Sequence, residues 1–313
     1  MPEDRLMEKN PLWVVDVGAS GGIDPRWSRI TDNYKAVMFE PDPREYEQLV
    51  RKCGNNMMVL NSALSDSKGT VDFHLCRKQE VSSVYIPNVD FLKKFSGIDR
   101  FDVIKKIALK ADTLGNQLRI NQVPEVDFIK IDTQGYELPI LRGGGDYLDR
   151  VIGLELEVEF VPLYKEQPLF TDVNEFVTKA GFELFDMRRY YWQRKESVHA
   201  GNQKGQLVFG DALYFRSPEQ VLSMRNVSQE KIARAVYVYL AYGYLDLAQA
   251  LLKGADATKK LGINYRDALS KTVSRHRKKS LPDFKGRYKL QRFFERIGAM
   301  FSGGGSDRSV GNP

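Results

Sequence analysis

Three acids, each closing an apolar run, stand where this chain could do chemistry. The first is Asp16, in Val14-Val15-Asp16-Val17-Gly18-Ala19-Ser20-Gly21-Gly22-Ile23-Asp24-Pro25. The valines suit a buried strand. Gly18, Gly21 and Gly22 let the backbone turn tightly and approach a ligand with no Cβ in the way. The spacing is not the Gly-x-Gly-x-x-Gly of a dinucleotide turn. An acid two residues before the first glycine suits a cationic cofactor better than a pyrophosphate. S-adenosylmethionine, with an ammonium, a sulfonium and no phosphate, has that character. The second acid, Glu40, lies 22 residues after Gly18 and ends Ala36-Val37-Met38-Phe39. In a βαβ unit an acid at that distance takes ribose hydroxyls. The third, Asp132, ends Val126-Asp127-Phe128-Ile129-Lys130-Ile131, and Gly135 then turns the chain toward a helix with Leu138, Ile140 and Leu141.

A fourth run, 151–160, alternates after Leu154, so Glu155, Glu157 and Glu159 share one strand face. Three like charges on one face repel unless that face sees solvent, cations or a polar substrate. It is therefore either an exposed face or one turned to a substrate. The elements that must carry these residues read as strand 12–17, helix, strand 36–40, helix 43–52, strand 57–60 and a strand near 70–75. A loop or lid near 77–100 follows. Then come strand 106–110, helix 112–120, the Asp132 strand and its helix, the Glu155 strand, helix 171–180 and strands 182–187 and 207–215. The last two flank a polar loop and suggest a hairpin. Alternating strands and helices predict an α/β fold with a mostly parallel, doubly wound sheet covered on both faces.

Taken together, Val-Val-Asp-Val-Gly-Ala-Ser-Gly-Gly, Phe39-Glu40-Pro41-Asp42-Pro43, Asn61-Ser62-Ala63-Leu64-Ser65-Asp66, Ala111-Asp112-Thr113-Leu114, Phe128-Ile129-Lys130-Ile131-Asp132-Thr133-Gln134-Gly135-Tyr136-Glu137, the stretch 156–164 and Gly205 to Tyr214 give a chain that resembles the FkbM-type methyltransferases over roughly residues 10–216. One position departs: Gly115 stands where the family usually has an acid. The resemblance implies a seven-stranded Rossmann-like methyltransferase sheet closed by that hairpin, S-adenosylmethionine as cofactor, and O-methylation of hydroxyls on sugars, polysaccharide residues or polyketides. It places Asp16, Gly18, Ala19, Ser20, Gly21, Glu40, Pro41, Asn61, Ala63, Leu64 and Asp132 around the cofactor. A hydroxyl must lose its proton to attack a methyl group, and a carboxylate in reach can take it. Asp132, at the end of the strand nearest the methyl, is the first candidate; Glu157 and Asp211 are next. A nicotinamide oxidoreductase and a non-catalytic binding protein on the same fold are the rival readings. The Asp16 motif argues against the first.

Apolar residues make up 42% and charged residues 28% of the 313, the balance of a globular enzyme. No run of about 20 apolar residues is present, and the first ten residues lack the apolar core of a signal peptide. Cys53 and Cys76 have no ligand spacing and read as free thiols of a reducing cytoplasm. His74, His199 and His276 form no motif, and no metal site is expected. Ser217-Pro218 marks a change to pure helix, with Ser228 as an N-cap and Gly243 breaking a helical hairpin. This divides the chain into a catalytic domain (1–216), a C-terminal helical appendix (217–270) and a tail (271–313). Residues 271–296 carry a net +8 against +6 for the whole chain, so everything else sums to −2. Phe293, Phe294, Ile297, Met300 and Phe301 share one helical face of that basic tail. A basic amphipathic helix reads as a contact with an anionic membrane, here its inner face, or with a partner; a solvated or self-docked tail is the plainer alternative. Nucleic acid is not expected, because the basic block stands apart from the catalytic motifs. Oligomeric state and acceptor are not legible.

Overall fold

The computed structural model describes residues 5–19, 21–196 and 205–279. A seven-stranded sheet runs β3 (Met57–Leu60), β2 (Tyr34–Phe39), β1 (Leu12–Val17), β7 (Phe128–Ile131), β8 (Gly153–Glu159), β10 (Gln206–Phe215), β9 (Glu183–Trp192). The first five are parallel and β10 is antiparallel to both neighbours, so the expected closing hairpin is present. Its connecting residues 197–204, including His199, lie outside the described residues.

Strand alternation sends successive side chains to opposite faces. Val15, Val17, Val37, Phe39, Ile129, Ile131, Leu154, Leu156 and Val158 pack on one face. There they meet α5 (Leu114–Ile120), α6 (Glu137–Arg142) and α7 (Phe170–Lys179). Gly115 is explained by this packing: a Cβ there would lie 2.9 Å from the carbonyl oxygen of Gly144. An acid at that position would not fit this backbone.

On the other face, α1 (Arg5–Glu8) and α2 (Arg26–Ile30) are too short to cover the strands. The C-terminal helices complete the layer: α8 (Pro218–Ser223), α9 (Gln229–Ala241), α10 (Leu245–Ala257) and α11 (Ile263–Lys279). The Ser228 hydroxyl caps α9 by accepting from the Lys231 N–H at 3.1 Å, and Gly243 turns the chain at φ +83°. Side chains of α9 share one core with Leu12, Val14, Phe128, Leu213 and Phe215, and Tyr242 stacks on Phe128 with ring centroids 4.9 Å apart. Residues 217–270 are thus the expected helical appendix, packed as a layer on the catalytic sheet. The boundary at 270 falls inside α11; the aromatic face of the tail lies outside the described residues. No helix among the described residues is long and apolar enough to cross a membrane.

Between β3 and β7 the chain builds a second, three-stranded sheet, β4 (Ala63–Ser65), β6 (Val103–Thr113), β5 (Gly69–Cys76). The segment from β5 to β6 holds α4 (Val89–Leu92) and two 3₁₀ turns. It is anchored to the main domain by Asn88, whose side chain donates to Pro162 O at 3.0 Å, and by the Tyr164 hydroxyl against Val81 O at 3.0 Å. This is the lid expected near 77–100.

Candidate active site

The ends of the parallel strands meet under the lid in a cavity of about 410 Å³. The strand order gives it a direction. Gly18, Glu40 and Pro41 line it at the β1–β2 end, and Ala63 and Leu64 at the start of the insertion. Asp132, Gln134 and Glu157 lie in the middle, above β7 and β8. Phe101 of the lid and Trp192 and Phe209 of the closing hairpin form the far wall.

Gly18 is fixed by packing as much as by a ligand. Its φ is +77°, and a Cβ would lie 1.9 Å from the carbonyl oxygen of Asp132. The Asp132 N–H donates to Val17 O at 2.9 Å. The glycine turn and the Asp132 strand end are therefore pressed together, backbone on backbone. Glu40 is buried, and one of its oxygens accepts from the Asp42 N–H at 2.9 Å. Burial, with Asp42 and Glu45 nearby, pushes its carboxyl up to about 7 against that hydrogen bond. Asn61 supports the same strand end by donating to Glu40 O at 3.0 Å.

Asp132 sits 3.4 Å from the Lys130 ammonium. Burial would strip Lys130 of its proton, but Asp16, Asp132, Glu155 and Asp211 surround it and hold its pKa above the ordinary lysine range. Gln134 ties the centre together: its amide donates to Asp132 Oδ1 at 3.2 Å and to Glu157 Oε1 at 2.8 Å. The Tyr164 hydroxyl lies 3.0 Å from Gln134 Oε1 and orients the amide. Gln134 holds φ at +58°, a backbone region that non-glycine residues seldom occupy and that clusters at functional sites. The turn is held by buried Glu137, which accepts from Thr133 N at 2.7 Å and Thr133 Oγ1 at 3.0 Å. Burial, with Asp132, Glu159 and Asp211 nearby, raises the Glu157 carboxyl well above the usual range.

Asp16, Ala19, Gly21 and Asp211 are not among the residues that line the cavity. Asp16 is buried on the sheet face, 4.0 Å from Lys130. Ala19 packs in a small core with Met38 and Leu49. Gly21, at φ +85°, has open space where a side chain would be. Ser20 lies outside the described residues. Asp211 is paired to Glu157 across the strands and is held by Arg188 Nε at 2.7 Å; it too is set back from the lining. The face of Glu155, Glu157 and Glu159 is buried, not exposed. Tyr242 of the helical layer covers it, donating to Glu155 at 2.7 Å. Among the described residues no cluster of three or more His, Cys, Asp or Glu could hold a metal ion, and Cys53 and Cys76 are both free thiols.

Residues 16–184, more than half of the chain, match the family described as the methyltransferase FkbM domain. The chain belongs to the FkbM methyltransferase family. It is 25% identical over 171 residues to the 2-O-methyltransferase NoeI of Sinorhizobium fredii (strain NBRC 101917 / NGR234), covering 52% of this chain and 69% of that protein. Two solved structures are similar at lower levels. One is the precorrin-6y C5,15-methyltransferase of Geobacter metallireducens GS-15, at TM-score 0.35 and 12% identity over 68% of this chain and 85% of that one. The other is the N-terminal domain of EvdMO1 with S-adenosylhomocysteine bound, at TM-score 0.32 and 8% identity over 69% and 81%. The fold assignment rests on the strand order and the family match. This FkbM protein is an S-adenosylmethionine-dependent methyltransferase, and the nicotinamide alternative falls away. The cavity agrees: Glu40, Asp42 and Glu45 line its β2 end, where a pyrophosphate would be repelled and ribose hydroxyls have a carboxylate to donate to.

That carboxylate predicts a pH dependence. Ribose hydroxyls favour ionised Glu40, so below a pKa of about 7 the free protein must lose a proton to bind. Affinity for S-adenosylhomocysteine should fall about ten-fold per pH unit below neutrality and be flat above it. Calorimetry between about pH 5.5 and 8.5 measures the slope. Glu40→Gln should abolish it, and Glu40→Ala should cost about 1.5–3 kcal/mol at neutral pH. A pH-independent wild-type affinity would remove Glu40 from the cofactor site.

Proposed function

We propose that the enzyme methylates a hydroxyl oxygen of a sugar, polysaccharide or related natural product. The observation that carries this is the place of the Asp132 carboxylate, between the Glu40 end and the aromatic end of one continuous cavity. S-adenosylmethionine supplies an activated methyl group on a positive sulfur. Glu40 would hold its ribose hydroxyls, with Gly18, Ala63 and Leu64 against it. Asp132 takes the proton of the acceptor hydroxyl as the new C–O bond forms. Gln134 and Lys130 fix the direction of that carboxylate. Glu157, its carboxyl raised by burial and by the charge of Asp132, is held beside it by the same Gln134 amide. The lid and the closing hairpin hold the acceptor in place and exclude water, so that proximity supplies much of the rate. NoeI, named a 2-O-methyltransferase, supports transfer to oxygen.

The test is transfer of labelled methyl from S-adenosylmethionine to a panel of oligosaccharides by the full chain. Label should enter an ether that survives mild alkali, with one S-adenosylhomocysteine released per methyl transferred. Alkali-labile label would mean an ester on a carboxyl group, and label on nitrogen would exclude oxygen transfer.

A further inference from the structure

The acceptor end of the cavity holds a cation with no ion pair among the described residues, only the charge of its exposed neighbour Asp99 acting on it. Arg100, from the 3₁₀ turn Ile98–Phe101 of the lid, lines the cavity. Its guanidinium lies 4.6 Å from the Trp192 ring centroid and 5.1 Å from that of Phe101. Its Nε is buried and has no hydrogen-bond partner. Other cations in and beside the sheet are satisfied: Lys130 by Asp132, Arg188 by Asp211, Arg234 by Asp127, and Arg216 by the Val151 and Leu148 carbonyls. A buried, unmatched donor costs free energy unless a ligand satisfies it. A guanidinium stacked on an aromatic face keeps its planar edge free, and that edge suits two oxygens of a carboxylate or phosphate.

The cofactor's ribose acid, Glu40, lies at β2, whereas Trp192 lies on β9 and Phe209 on β10, at the opposite end of the strand order with Asp132 between them. We propose that Arg100 is a specificity residue that reads an anionic substituent, a carboxylate or phosphate ester, on the sugar whose hydroxyl is presented to Asp132. The inference rests on the sugar acceptor proposed above. Trp192, Phe101 and Phe209 give the apolar face of a sugar ring a surface to pack on, and Arg100 at their edge selects acidic glycans over neutral ones.

The experiment is calorimetry of the full chain, saturated with S-adenosylhomocysteine, against methyl β-glucuronide, glucose 6-phosphate, methyl β-glucoside and the non-sugar acid benzoate. One or both anionic sugars should bind about ten-fold or more tighter than the neutral glucoside, and the tighter one identifies the anion. Arg100→Gln should bring them level while S-adenosylhomocysteine affinity stays unchanged, which also reports an intact fold. Equal binding of neutral and anionic sugars by the wild type overturns the assignment and leaves the sugar reading standing. Binding of benzoate alone, lost in Arg100→Gln, refutes the sugar reading and keeps Arg100 as an anion site. Loss of S-adenosylhomocysteine affinity in Arg100→Gln would assign Arg100 to the cofactor's own carboxylate and overturn the proposal. No binding of any of the four overturns both readings.

Discussion

Asp132→Asn will lower turnover by about 10²–10⁴ and leave cofactor affinity nearly unchanged. Asparagine keeps the shape and still offers an oxygen to the Gln134 amide, now 3.2 Å from Asp132 Oδ1. Lys130 keeps Asp16 at 4.0 Å. What is lost is the proton acceptor. The variant should therefore recover activity at alkaline pH, as the acceptor hydroxyl begins to ionise without help. Single-turnover rates over a pH series with labelled cofactor measure this. A modest loss of rate with a raised cofactor KM would move Asp132 to the cofactor, and wild-type turnover at neutral pH would exclude it from the chemistry. Removing the charge should also lower the Glu157 carboxyl, because Asp132 is one of the charges that raise it.

Strand ends were the legible part of this site. Glu40 and Asp132 each close an apolar run, and a parallel sheet delivers such residues to one edge wherever the strands sit. Asp16 has the same local signature but sits two residues further back on β1 than Glu40 on β2 or Asp132 on β7, in register with Lys130. Two residues along a strand keep a side chain on the same face but carry it roughly 6–7 Å back from the strand end, and that register depends on the partner strand. Gln134 was missed because its left-handed backbone makes sense only with Glu157 and Tyr164 beside it, 23 and 30 residues away. Arg100, Trp192 and Phe209 come from the lid and the hairpin, whose meeting is purely tertiary. The Glu155 face stayed ambiguous for a related reason: what buries it is Tyr242, on a helical layer that the sequence pattern set apart as an appendix. The same layer hides Lys231 and Arg234, which in a helical pattern read as solvent-facing positions.

Those two cations make the second large prediction. Asp127, at the start of β7, is fully buried; its Oδ1 accepts from Lys231 Nζ at 2.7 Å and Arg234 Nε at 2.9 Å. Its Oδ2 accepts from the Trp13 N–H at 2.9 Å. Glu125, bound by Arg150 at 2.8 Å, also pairs with Arg234. Burial alone would raise the Asp127 carboxyl, but Lys231 and Arg234 hold it below the usual aspartate range. Replacing a pair like this with well-packed apolar groups can be neutral, but removing one partner strands a buried charge. Lys231→Met should thus cost about 3–5 kcal/mol in urea unfolding at neutral pH, and adding Asp127→Asn should recover part of it. The sign with pH follows from the depressed carboxyl: its contribution is present above the unfolded aspartate value of about 4 and is lost as pH falls through the folded one. The wild-type advantage over Lys231→Met should therefore shrink in acid. Because the cluster joins α9 to the sheet across residue 216, helical circular dichroism and the fluorescence of Trp13 and Trp27 should report one coincident transition. Two separate transitions would show that residues 217–279 fold as a unit of their own. A Lys231→Met variant within about 1 kcal/mol of wild type would mean that Arg234 alone neutralises Asp127.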